Sequence, residues 1–195
     1  MKSLIAMISM LLLTASLSNA QFKEGDVELS FSGSIGSWSP PSTPDYKIES
    51  ENYASFYIVP GYYVVNGLSI EPELGLMAME KSKPGQYVLM NLSYTYLIPD
   101  SKIGCFVRAG YGLANAFEYP FGNGIVVPAS DKFNVGVLNL GAGAKFLISS
   151  NVLIRAEFNF KQHSWTYEYN STYYSYSADY KESTLGVVLG FSILL

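Results

Sequence analysis

Apolar and polar residues alternate through most of the chain, over segments too long for an ordinary soluble strand. The period is two rather than 3.6, so each segment has one apolar and one polar face. Beyond the first twenty residues there is no run of about 20 apolar residues, the length a membrane-spanning helix needs. Eight such segments can be placed: Val27–Gly36, Tyr53–Val65, Leu68–Met79, Gln86–Ile98, Ile103–Phe117, Asn134–Ile148, one beginning at Val152, and Thr184–Leu195. Soluble strands usually run to about 5–6 residues. A strand that crosses a bilayer at a tilt needs about 9–11.

The faces are well separated in most segments. In the first, Val27, Leu29, Phe31, Gly33 and Ile35 oppose Glu28, Ser30, Ser32 and Ser34. In the last, Leu185, Val187, Leu189, Phe191, Ile193 and Leu195 share one face. The fourth is less clear, because both of its faces carry apolar residues. Pro72 interrupts the third, where it cannot donate a ladder hydrogen bond, and a local bulge is expected there. Glycines recur on the non-apolar face of the fifth and sixth segments, at Gly104, Gly110, Gly112, Gly141 and Gly143. Glycine weakens a strand, so its repeated use on one face implies close spacing on that side.

The connections alternate in length. Residues 37–52, 80–85, 118–132 and roughly 162–183 form one set, while Asn66-Gly67, Pro99–Lys102 and Ser149–Asn151 form the shorter set. Short turns at one rim and longer loops at the other characterise membrane barrels. The fold expected is all-β, an eight-stranded antiparallel up-and-down transmembrane β-barrel. Its even strand count brings both chain ends to the short-turn rim.

Composition agrees. Hydrophobic residues make up 49% of the chain and charged residues 14%, against about 25% charged in a typical soluble domain. This fits poorly with an ordinary soluble enzyme surface or a disordered acidic chain. The net charge of -4 offers no basic surface for nucleic acid, and one cysteine cannot form a bridge within the chain.

The first twenty residues read as a secretory signal peptide. Lys2 precedes a mostly apolar stretch from Leu4 to Leu17, and Ser18 and Ala20 place small residues at -3 and -1. Cleavage after Ala20 leaves residues 21–195 as one barrel domain and, by removing Lys2, takes the charge from -4 to -5.

The non-apolar face carries Glu28, Glu71, Glu73, Arg108, Lys145, Arg155, Glu157 and Lys161, four acids and four bases. A near-neutral internal network explains them better than a solvated face, since buried charges need partners. Glu71 and Glu73 are expected to pair with Arg108 across the fourth strand, or with Arg155 across the lumen. A soluble lipocalin-like barrel would reverse the two faces, and only Gly36-Ser37-Trp38 points that way.

The segments Phe106–Gly112, Leu140–Phe146 and Leu185–Phe191, with their glycine–aromatic texture, resemble the bacterial outer-membrane β-barrel superfamily of small OmpA-like and OmpW-like proteins. The resemblance extends over nearly all of residues 21–195. It implies secretion to the periplasm, insertion in the outer membrane by the barrel assembly machinery, and contact with outer-membrane lipids and lipopolysaccharide. Such chains often end in an aromatic residue, whereas this one ends Ile193-Leu194-Leu195. With no residues after the eighth segment, tethering through an OmpA-type peptidoglycan-binding domain is not expected. Known activities in the superfamily include structural barrels, adhesins acting through outer loops, narrow channels and occasional lipid enzymes.

Nothing in the sequence points to a cofactor or metal. His163 is the only histidine, and Cys105 lies on an apolar face. His163 and Ser164 are adjacent on an extended strand and point to opposite faces, which makes a poor catalytic dyad. No enzyme activity is expected. An outer-membrane lipid-modifying enzyme is the remote alternative. The stretch Trp165–Tyr180 is more distinctive, with Trp165, Tyr167, Tyr169, Tyr173, Tyr174, Tyr176 and Tyr180. It reads as an interfacial aromatic girdle or as an outer-loop surface for an extracellular protein or glycan. A structural or surface-interaction role is expected, with a narrow porin-like channel for small solutes as the alternative.

Overall fold

The computed structural model describes residues 22–38, 51–79, 84–116, 119–121, 125–127, 130–170 and 175–195. Residues 1–20, read above as a signal peptide, lie outside them. The strands are β1 (Val27–Trp38), β2 (Glu51–Val65), β3 (Leu68–Met79), β4 (Gly85–Leu97), β5 (Ile103–Ala116), β6 (Tyr119–Phe121), β7 (Ile125–Val127), β8 (Ser130–Leu147), β9 (Val152–Asn170) and β10 (Ser175–Leu194). Eight of them close a barrel in the order β1-β10-β9-β8-β5-β4-β3-β2, and β6 and β7 pair separately. Every neighbouring pair is antiparallel.

The turns show why the strands stop where they do. Gly67 has φ 79° in the Asn66-Gly67 turn, a conformation that favours glycine. A side chain there would also press on the Thr95 carbonyl. The start of β1 and the end of β10 meet at this same rim, where the Leu195 N–H donates to the Val27 carbonyl at 2.8 Å.

The apolar faces point outward. Leu74, Leu76, Val107, Phe158, Leu189 and Phe191 are all exposed large hydrophobics. On β10 the outward apolar series runs from Leu185 to Leu195. Ten residue steps at ~3.3 Å each, tilted ~45°, make a band roughly 25 Å tall, the height a lipid-facing barrel wall needs. The polar faces point inward. A lipocalin-like carrier would show the opposite.

Three details differ from the sequence expectation. Pro72 causes no bulge: the β2–β3 register is the same at Ile58↔Leu74 and Tyr62↔Ile70, which sets Pro60 opposite Pro72 between them. The register shift lies at Tyr63/Val65 instead. Two prolines facing each other forgo donation together, so neither strand needs an extra residue. The connection expected at 118–132 contains the β6–β7 hairpin. The loop expected at 162–183 is mostly strand, with β9 and β10 paired from Val152↔Ile193 to Asn170↔Ser175. Its tyrosines, threonines and serines suit an extended ribbon that needs no lipid-facing apolar side.

Candidate functional site

The lumen is the candidate site, and it is filled in three layers. The middle layer follows from strand parity. Each of its eight charged residues sits at an inward position, so none can reach water along its own strand. All eight are buried.

They form one unbranched chain of alternating sign. Glu28 meets Lys145 at 2.7 Å, and Lys145 meets Glu71 at 3.8 Å. Arg155 lies 3.4 Å from Glu71 and 3.0 Å from Glu157. Arg108 bridges Glu157 at 2.7 Å and Glu73 at 2.5 Å, and Lys161 closes the series 3.0 Å from Glu73. Both pairings expected for the adjacent glutamates occur, one on each: Glu73 takes Arg108 and Glu71 takes Arg155. Each is two strands or more from its partner, so the lumen is crossed rather than lined.

The ends of this chain are tied to aromatic groups. The Tyr63 hydroxyl donates to Glu28 at 2.7 Å, and the Lys161 ammonium donates to the Tyr87 hydroxyl at 2.8 Å. Lys161 also lies 4.3 and 4.2 Å from the ring centres of Tyr57 and Tyr87. Beside the charges runs an amide ladder. Asn159 donates to Asn139 at 2.8 Å, and Asn139 donates to Asn91 at 2.6 Å. Charges taken out of water are tolerated only when this fully partnered.

Apolar layers close both mouths. At the short-turn rim, Phe22, Tyr63, Leu147, Leu153 and Leu194 form a buried cluster. Phe22 is wholly buried although it precedes β1. Its carbonyl accepts from Gly67 N–H at 2.9 Å, which pins the segment across the mouth. At the long-loop end, Tyr57, Val59, Tyr87, Leu89, Ala114, Val135, Val137 and Val188 form a second cluster, with Trp165 packed against it. Glycines make room for the lumen side chains: a Cβ on Gly75 would run into the Tyr87 ring of this cluster, and one on Gly141 into Glu157 of the charge layer.

Trp165 therefore contributes to the lumen plug, not to a lipid-facing girdle. It shares the inward parity of Lys161 and His163 on β9. Tyr167, Tyr169, Tyr176 and Tyr180 lie on the β9–β10 backbone, but their side chains fall outside the described residues, as do Tyr173 and Tyr174 altogether. His163 is buried in the lumen, and Ser164 on the other face donates to the Gly136 carbonyl at 3.4 Å. Strand parity keeps these two apart.

Sequence reasoning missed Phe22, the tyrosine ends and the asparagine ladder. Tyr57, Tyr63, Tyr87, Asn91, Asn139 and Asn159 all carried a signal, since each sits at inward parity. Phe22 carried none, because it lies outside any alternating segment.

No protein-family model matches the chain, and no curated protein matches it in sequence. Solved structures do match. The crystal structure of Neisserial surface protein A aligns with a TM-score of 0.57 at 14% identity, over 87% of this chain and 97% of that one. The N-terminal β-barrel domain of Pseudomonas aeruginosa OprF aligns with a TM-score of 0.55 at 13% identity, over 88% of this chain and 98% of that one. At such identities the likeness is one of fold, and function has to be argued from the site. The chain thus has the fold of the small eight-stranded outer-membrane barrels.

Proposed function

We propose that this chain is an integral outer-membrane barrel, closed to solute flow, that acts by presenting a surface to partners outside the cell. The observation that carries the reading is the β9–β10 ribbon. The β8–β9 ladder ends at Gly136↔Ser164, while β9 and β10 stay paired for six more positions, to Asn170↔Ser175. At ~3.3 Å per residue the paired ribbon runs roughly 20 Å along its strands past the end of the β8–β9 ladder. The Thr166 hydroxyl donates to Asp179 across it at 2.7 Å. Among the described residues, β10 pairs with β1 only as far as Val188, so its outer edge from Ser175 carries no neighbouring strand. Such an edge offers backbone donors and acceptors to an extended segment of another protein.

The filled lumen argues against the channel reading. Among the described residues, two apolar clusters and a neutral, bridged charge layer interrupt any continuous polar path.

Two measurements test the proposal. Replacing residues 165–180 by a short turn should abolish whole-cell binding of extracellular protein while heat-modifiable gel migration persists. Unchanged binding would remove the ribbon's role. In planar bilayers the intact barrel should give no single-channel steps. Reproducible steps that vanish in Arg108→Ala would restore the narrow channel.

A further inference from the structure

The alternation that sorts side chains onto two faces also sorts backbone groups onto two edges. In an antiparallel strand each residue turns its N–H and its C=O to the same side, and the next residue turns them to the other. The end of β10 shows which residues face which neighbour. The Leu194 N–H donates to the Asn151 carbonyl, on the β9 side, and the Leu195 N–H donates to the Val27 carbonyl, on the β1 side, both at 2.8 Å. β10 then keeps one register against β9, without a shift, from Ile193 to Ser175. The odd-numbered residues of β10 therefore face the β1 side along its whole length.

The β1–β10 ladder ends at Ser34↔Val188. By the same parity this pair makes no bonds of its own and is held by the residues on either side, so Val187 is engaged. Above it, among the described residues, the edge has no partner strand. The residues whose backbone faces that edge are Ser175, Ser177, Asp179, Lys181, Ser183 and Leu185. Ser177, Asp179, Lys181 and Ser183 are exposed. An acid and a base thus occupy adjacent edge-facing positions, flanked by serines. The Thr166 hydroxyl, from the register partner on β9, holds the Asp179 carboxylate on this outward face at 2.7 Å. A lone lysine on an edge keeps other strands away. An acid beside a base accepts one order of charges and rejects the reverse.

We infer that this edge takes an extended segment of an extracellular protein that pairs antiparallel with β10 and reads acid–x–base from its N-terminus. The acid falls opposite Lys181 and the base opposite Asp179. Antiparallel pairing is the more stable arrangement, and it sets directly opposed side chains together on one face. Hydroxyl residues on either side of the charged pair suit Ser183 and Ser177. Asp179-Tyr180-Lys181 itself has the required order. Two barrels in one membrane, however, raise their ribbons in the same direction, so their β10 edges do not meet antiparallel. That selects a foreign strand over a second copy. The inference rests on the role proposed above for the ribbon and adds the direction and charge order of its partner.

The test uses the whole barrel in dimyristoylphosphatidylcholine nanodiscs and two end-blocked peptides, Thr-Val-Glu-Val-Lys-Val-Thr and Thr-Val-Lys-Val-Glu-Val-Thr. Affinity is read by calorimetry and placement by hydrogen exchange of the β10 amides. The first peptide should bind about fivefold more tightly than the second. It should slow exchange at Ser177, Asp179, Lys181 and Ser183, and leave Tyr180 and Glu182, whose amides face β9, unchanged. Exchanging the charges, Asp179→Lys with Lys181→Asp, should reverse the preference. Lys181→Gln alone should narrow it, and decides the matter if the double variant does not fold. Equal affinities with protection at the edge would overturn the charge order and leave the ribbon's role standing. Failure of both peptides to protect the edge amides would overturn the edge as a docking surface. A barrel that pairs with itself through these amides before peptide is added would overturn the choice of a foreign strand.

Discussion

The two mouths of the barrel meet the same demand, closing a polar lumen, with different parts of the chain. At the short-turn rim the stopper is Phe22, borne on a segment that belongs to no strand and is held by backbone bonds to Gly67 and Tyr63 and by the Asn66 side chain. At the long-loop end the stopper is built into the wall, from Tyr57, Tyr87 and Val137 on three strands, with Trp165 above. A segment outside the sheet can choose its own path, so Phe22 needs little from its neighbours beyond the glycine at 104, where a Cβ would come 3.2 Å from its ring. A ring mounted on a strand must point where the pleat sends it. Space for it has to come from glycines on the facing strands, as Gly75 does for Tyr87. The long-loop mouth thus depends on wall composition, and the short-turn mouth on one ring carried by a segment docked on the β2–β3 turn.

The charge layer between them is shared, and removing its middle should do most harm to both. Arg108→Ala leaves Glu73 and Glu157 facing each other without their common partner. Unfolding by guanidinium in vesicles should show a loss of about 3–5 kcal/mol. A smaller loss would mean that water reaches the middle layer. Next comes the anchor. Phe22→Ala should cost about 3 kcal/mol, yet planar-bilayer recordings should stay silent because the upper cluster is untouched. Conductance appearing in this variant would make the short-turn mouth the sole barrier and erase the symmetry of the two plugs.

A gentler probe concerns the wall. Gly75→Ala pushes into the Tyr87 ring and should cost about 1–3 kcal/mol at the long-loop end. Adding Tyr87→Leu should recover part of that loss, as a double-mutant cycle would detect. Additive losses would mean that the two residues are not coupled. The smallest effect expected is that of salt. Raising it from ~0.05 to ~0.5 M screens exposed pairs but scarcely reaches buried ones, so the unfolding midpoint should hold. A salt-dependent midpoint would place the charge chain in contact with solvent.

Much of this architecture was legible in the sequence, and for a local reason. Side chains alternate across any strand, and a lipid-facing wall must be apolar at every other position. Val27 to Ile35 and Leu185 to Leu195 therefore declared their faces without reference to any partner. The same parity marked the eight charged residues as inward. The fourth strand looked ambiguous because its inward face changes character along its length, from Tyr87 and Leu89 in the upper plug to Asn91 and Ser93 in the polar layer. Its outward face, after Gln86, is apolar or aromatic from Val88 to Tyr96.

By itself, then, the sequence determined the number of barrel strands, their faces and the rim that carries the short turns. The tertiary structure decided the rest: that Glu73 joins Arg108 while Glu71 joins Arg155, that Trp165 turns into the lumen, that β9 and β10 stay paired past the end of the β8–β9 ladder, and that the β1–β10 ladder stops at Ser34↔Val188. These depend on how far each strand slides against the next around the whole circuit. That stagger is a property of closure, and no stretch of alternating residues contains it.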